Sequence, residues 1–115
     1  MRRDDLYLKD IILAADAIAC FLGSRQAGDV VDDDLLRSAV LQKLTIIGEA
    51  AARLSDEFKQ KNTTVPWRDV VAFRNIAVHR YFSIDWQIVW NTATVDVPSL
   101  RGEVIKCTTA SGEDS

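Results

Sequence analysis

Between Leu35 and Leu54 the apolar residues Leu36, Val40, Leu44, Ile47, Ala51 and Leu54 return about every 3.5 residues, the repeat of one helix face laid against another. A strand would alternate at every second position, and nothing in this stretch does. The stripe therefore commits the middle of the chain to a helix that must find helical partners. Around Gly48 the small residues Ala50, Ala51 and Ala52 allow a second backbone to come close, which fits tight helix packing or a dimer contact, and packing is the expected role.

The partners follow from the same periodicity. Residues 5 to 22 place Leu8, Ile11, Ile12, Ala15, Ile18, Ala19 and Leu22 on one face, with Gly23 as a stop. The segment 23 to 31, with Gly28 and polar residues, reads as a connection. Asp32, Asp33 and Asp34 open the second helix, where carboxylates cap free amides and complement the macrodipole. Ser55 opens a short turn over Asp56 to Gln60, followed by the polar break Lys61 to Thr64 and a restart at Val65-Pro66. A helix over 66 to 79 comes next, and then a last helix capped by Ser83 or Asp85, with Trp86, Trp90, Ala93, Val97, Leu100 and Val104 in line and a kink expected at Pro98. With no strand pattern, repeat or glycine-rich phosphate loop, the chain is expected to be all-α: an up-and-down bundle of four main helices plus one short helix. At 115 residues it is one domain, residues 1–107, followed by a small, polar, flexible tail over 108–115.

Charge narrows the function. A net charge of −3 and a pI near 5.0 argue against a protein that coats nucleic acid, but not against one that needs only a local positive cleft. Residues 1 to 34 carry eight Asp against four Lys or Arg, whereas 66 to 86 hold Arg68, Arg74 and Arg80 against Asp69 and Asp85. Cys20 and Cys107 lack metal-ligand spacing, and with one histidine a metal site would have to come from scattered carboxylates; no metal and no cofactor are expected, and both thiols read as reduced and structural. No leader-like or membrane-spanning run is present, so a cytoplasmic place is expected.

The chemistry concentrates in Arg74-Asn75-Ile76-Ala77-Val78-His79-Arg80-Tyr81, which contains the single histidine. An imidazole with an ordinary pKa of ~6.5 moves protons at neutral pH, and a guanidinium forks onto phosphate. Together they suffice to cut a phosphodiester without a metal. Taken alone, a solitary histidine at a helix end is more often structural. On a straight helix Trp67, Val70, Val71, Arg74, Ala77 and Val78 share one side, so Arg74 projects from the middle of an apolar stripe and wants a partner. Glu49, set among small apolar residues, is either that partner or a surface carboxylate. At about 100° per residue His79 is turned about 140° from Arg74, so either the helix unwinds near His79 or the site is composed where two copies of the helix face each other. Trp86 and Trp90 stand at helical spacing, so packing is a better reading than base stacking.

The order Arg-x4-His-x-Tyr, with Asn75 after the arginine, resembles the signature of the HEPN superfamily and its HepT-type toxin branch. Ile47-Gly48-Glu49-Ala50-Ala51, Val65-Pro66-Trp67-Arg68-Asp69, and Ile84-Asp85 through Val89-Trp90 resemble further stretches of that branch, and the likeness covers about residues 4 to 106. The resemblance implies a homodimeric ribonuclease toxin with two motifs at a shared cleft, Arg74 and His79 as catalytic residues and RNA as substrate. Asn75 would hydrogen-bond the scissile phosphate or hold the His79 tautomer, and Arg80, at a position where this chain departs from the small residue of many relatives, would add a phosphate contact. It further implies that a nucleotidyltransferase antitoxin of the MntA type silences the toxin by placing AMP on Tyr81. The rival is a catalytically silent HEPN module that docks a nucleotidyltransferase or senses a nucleotide; intact Arg74 and His79 favour the enzyme.

Overall fold

A computed structural model describes residues 2–78 and 85–114. Every regular element among the described residues is helical. Helix α1 spans Arg2–Leu22 and buries Leu8, Ile11, Ala14, Ala15, Ile18 and Leu22, while Ala19 at the edge of the expected stripe is exposed. It stops at Gly23, whose φ of 49° lies in the left-handed region and whose N–H donates to the Ala19 carbonyl at 2.9 Å, a conformation that glycine adopts without Cβ strain. The expected connection holds a short helix, α2, Ala27–Val31. The Asp29 carboxylate accepts from the Gln26 N–H at 2.9 Å, and Val30 plugs into the core.

Helix α3, Asp34–Arg53, opens on Asp33, which accepts from the Leu36 N–H at 3.0 Å. All six residues of the heptad-like stripe are buried. Ser55 caps α4, Asp56–Lys61, by accepting from the Phe58 N–H at 3.1 Å. Its own N–H and hydroxyl donate to the two carboxylate oxygens of Asp4 at 2.9 and 2.7 Å. Asp4 is only 3% exposed, and its charge is met by those two donors.

The expected single helix over 66 to 79 is divided by a tightened turn at Ala72 into α5, Trp67–Val71, and α6, Phe73–Val78. The Asn75 N–H reaches the Ala72 carbonyl at 2.9 Å, one residue short of α-helical spacing. α5 begins beside α4: the Trp67 indole donates to the Asn62 carbonyl at 3.0 Å and its ring meets Phe58 edge to face at 5.9 Å. Asp85 caps α7, Trp86–Asn91, accepting from the Gln87 N–H at 3.0 Å.

Where a kink was expected at Pro98, the ladder widens into a π-helical turn, Thr92–Asp96, which passes into α8, Val97–Asp114. Proline offers no N–H to the Thr94 carbonyl, and the preceding turn relaxes outward. Buried Val89, Ala93, Val97, Leu100, Val104 and Cys107 keep this composite rod on the core. Cys107 therefore fills a core position, whereas Cys20 is exposed; both are free thiols.

The rods assemble with α1 against α3 and α8, and α3 against α5 and α6. No helix among the described residues is long and apolar enough to cross a membrane.

Candidate active site

The site is set by a close helix crossing. Gly48 is buried on α3, and a Cβ built there would lie 2.5 Å from the Arg74 backbone nitrogen, 2.8 Å from the Arg74 Cβ and 2.9 Å from the Val71 carbonyl oxygen. Such separations are below any tolerable contact, so only glycine lets α6 approach α3 at this level. The small-residue cluster thus serves helix packing, and what it brings close is the backbone of Arg74 itself.

From this crossing the Arg74 side chain runs out to the bundle edge and remains 40% exposed. The straight-helix expectation, with Arg74 in the middle of an apolar stripe, is corrected by the turn at Ala72. The phase change turns Phe73, 9% exposed, into the core. Arg74 Nη1 stands 3.9 Å from Glu49 Oε1, and the Glu49 side chain is 49% exposed. Glu49 is thus both partner and surface carboxylate.

At that distance the two groups attract without a hydrogen bond. An exposed pair of this kind contributes less than about 1 kcal/mol. Its planar fork of donors is thus held near one orientation by a weak partner that a phosphate can replace. Asn75, the next residue, is exposed. The remaining candidates, His79, Arg80 and Tyr81, lie outside the described residues, as does Ser83.

One cationic contact near the start of α7 was not foreseen. The Arg37 guanidinium lies over the Trp86 ring, 5.2 Å from its centroid, and donates to Asp34 at 2.9 Å. Trp86 and Trp90 are partly buried against the core. Trp86 therefore has a face covered by protein, in keeping with packing rather than base stacking. Arg37 precedes Trp86 by 49 positions (86 − 37), so no local pattern could pair them.

Comparison with known proteins bears on the chain as a whole. Residues 11–107 match the family described as Ribonuclease HepT-like. A protein of Methanocaldococcus jannaschii named "Putative RNase" is 35% identical over 98 residues, covering 85% of this chain and 90% of the relative. One of Thermococcus cleftensis named "Probable ribonuclease HepT" is 35% identical over 100 residues, 87% of this chain and 91% of the relative. A third, a "Putative RNase" of Caldanaerobacter subterraneus subsp. tengcongensis, is 37% identical over 76 residues, 66% of this chain and 68% of the relative. No solved structure matches the chain. With an all-helical bundle and a match spanning most of its length, the chain belongs to the HepT-like family of the HEPN type.

Proposed function

We propose that this chain is a metal-independent endoribonuclease that acts as the toxin of a toxin–antitoxin pair in the cytoplasm. The observation that carries the reading is the Arg74 guanidinium, anchored at the Gly48 crossing and half exposed beside a weakly held Glu49. A cation so placed neutralises charge on the phosphorane formed when the ribose 2′-hydroxyl attacks the adjacent phosphorus. His79 removes the 2′-hydroxyl proton or protonates the leaving 5′-oxygen. The electron pair of the broken P–O5′ bond leaves with the 5′-oxygen, and the other product ends in a cyclic phosphate. Asn75 and Arg80 hold the scissile phosphate.

The working unit is a homodimer, in which two copies of the motif share one cleft. Control comes from an MntA-type nucleotidyltransferase that attaches AMP to Tyr81. The added phosphate and adenosine compete with RNA for Arg74 by charge and by volume. Family membership supports RNA as the substrate class, and the Arg-x4-His-x-Tyr order supports the assignment of roles.

The test is incubation of the pure chain with total RNA in EDTA. Cleavage with cyclic phosphate ends is expected, falling about 10²- to 10⁴-fold in His79→Ala and likewise lost in Arg74→Ala. DNA, without a 2′-hydroxyl, should be untouched. Cleavage that vanishes with chelator and returns with magnesium overturns the mechanism. In co-expression with the transferase, intact mass should show adenylate on the wild type and none on Tyr81→Phe.

A further inference from the structure

Among the described residues the bundle leaves a seam open on the α5–α6 side. Between α5–α6 and the arm formed by the π-helical turn and α8 there is a cleft of about 360 Å³. Its floor is the core itself, made by Val65, Val70, Phe73 and Leu100. Val95 stands on its wall and is 62% exposed, so the π-helical turn adds a solvent-facing apolar side chain beside the apolar floor. A docked apolar surface would remove that side chain and the floor from water, which is favourable.

Among the described residues, the charged side chains lining the cleft are all carboxylates: Asp69 from α5, Asp96 from the π-helical turn and Glu103 from α8. Glu103 is shared with Lys106 at 3.5 Å and the Thr64 hydroxyl at 3.4 Å. Asp69 and Asp96 make no ion pair among the described residues. An apolar floor under a negative rim repels nucleic acid and suits a side chain with an apolar stem and a cationic head, the form of arginine and lysine.

We infer that this cleft is the docking site for a partner protein, entered by a segment that lays apolar side chains on the floor and sets an arginine or lysine against Asp69 and Asp96. The segment would meet Phe73, whose neighbour Arg74 is turned about 100° away on the same helix and reaches Glu49 of α3, so docking and the candidate active site use different faces of one helix. The inference stands apart from the ribonuclease reading, because it needs no part of the Arg-x4-His motif.

The test uses the full chain and a blocked peptide of three Leu-Arg repeats, followed by the methyl resonances of Val65, Val70, Val95 and Leu100. These resonances should shift on titration, and the same peptide with glutamate for arginine should bind at least about tenfold more weakly. Affinity should fall as salt rises from about 50 mM to about 500 mM. The variant D69N/D96N should lose roughly tenfold in affinity, and Val95→Gln, which alters no charge, should also weaken binding. The second variant keeps the test decisive if the first folds poorly. Equal binding of the glutamate peptide, or full affinity in both variants, overturns the inference. Free agmatine or spermidine binding as tightly as the peptide overturns the assignment to a partner protein in favour of a small polyamine.

Discussion

Gly48 and Arg74 touch backbone to backbone, and a single methyl group at Gly48 would fall 2.5 Å from the Arg74 nitrogen. Alanine in place of glycine inside a helix ordinarily gains about 1 kcal/mol of propensity. Here the atom in the way is main chain, which no rotamer change can clear, and overpacking of this kind costs about 1–3 kcal/mol. Gly48→Ala should therefore lower the melting temperature despite the better helix former. It should also displace Arg74, and RNA cleavage should fall about 10²-fold. An unchanged melting temperature with full activity would mean that the crossing opens freely.

Glu49→Gln separates stability from substrate binding at the same place. The pair at 3.9 Å is half exposed on both sides, so chemical denaturation should move by less than about 1 kcal/mol. Removing the carboxylate leaves Arg74 without its competitor for phosphate. RNA should then bind more tightly at low salt, with the gain fading as salt rises. A large loss of stability would show that the pair is stronger than its geometry allows.

Asp4 is the buried carboxylate that ties the chain's beginning to the α3–α4 corner through the Ser55 N–H and hydroxyl. Asp4→Ala removes both acceptors from partly buried donors and should cost about 1–3 kcal/mol. Asp4→Asn keeps one carbonyl oxygen and should lose less. Equal melting temperatures for all three proteins would show that water replaces the carboxylate without penalty.

These contacts mark what could be read before the fold was known. The α3 stripe from Leu36 to Leu54 is buried as its spacing required, because that helix lies against α1 on one side and α5–α6 on another. Asp4 gave no signal, since Ser55 is 51 positions away and Asp4 sits among charged residues at a helix start. α2 was missed because Gly28 and its polar neighbours look like a loop; burial of Val30 outweighs their weak propensity. The turn at Ala72 contains neither glycine nor proline, and its only trace is Phe73, an aromatic residue about 100° off the stripe in which Arg74 is central. Pairing of Arg74 with Glu49 was legible as one of two alternatives, whereas the Gly48 crossing was legible only as room for some backbone.

The two thiols should differ in reactivity. Cys107 is buried, and burial, with the nearby Glu103 charge, pushes its pKa up, so it stays protonated and shielded where a free thiol would begin to ionise. Cys20 is exposed. Brief iodoacetamide treatment of the native chain should label Cys20 alone, and labelling in denaturant should reach both, as peptide mass mapping would show. The raised folded-state value also fixes a sign: stability from the neutral buried thiol is present below the unfolded pKa and is lost as pH rises through the folded one. Cys107→Ala should lose less stability than wild type on going to alkaline pH.

Arg74 and His79 are five positions apart, which on one helix turns them about 140° from each other, and Arg74 faces Glu49 of its own chain. A cleft that takes Arg74 from one copy and His79 from the other can be rebuilt from two inactive variants. Arg74→Ala and His79→Ala should each be silent alone, and their mixture should regain RNA cleavage once subunits exchange, because some heterodimers hold one intact pairing. Exchange is checked independently by mass spectrometry of isotope-labelled subunits. Complete exchange with no regained cleavage would reject the division of Arg74 and His79 between chains, and a monomer by light scattering at working concentration would reject the dimer itself.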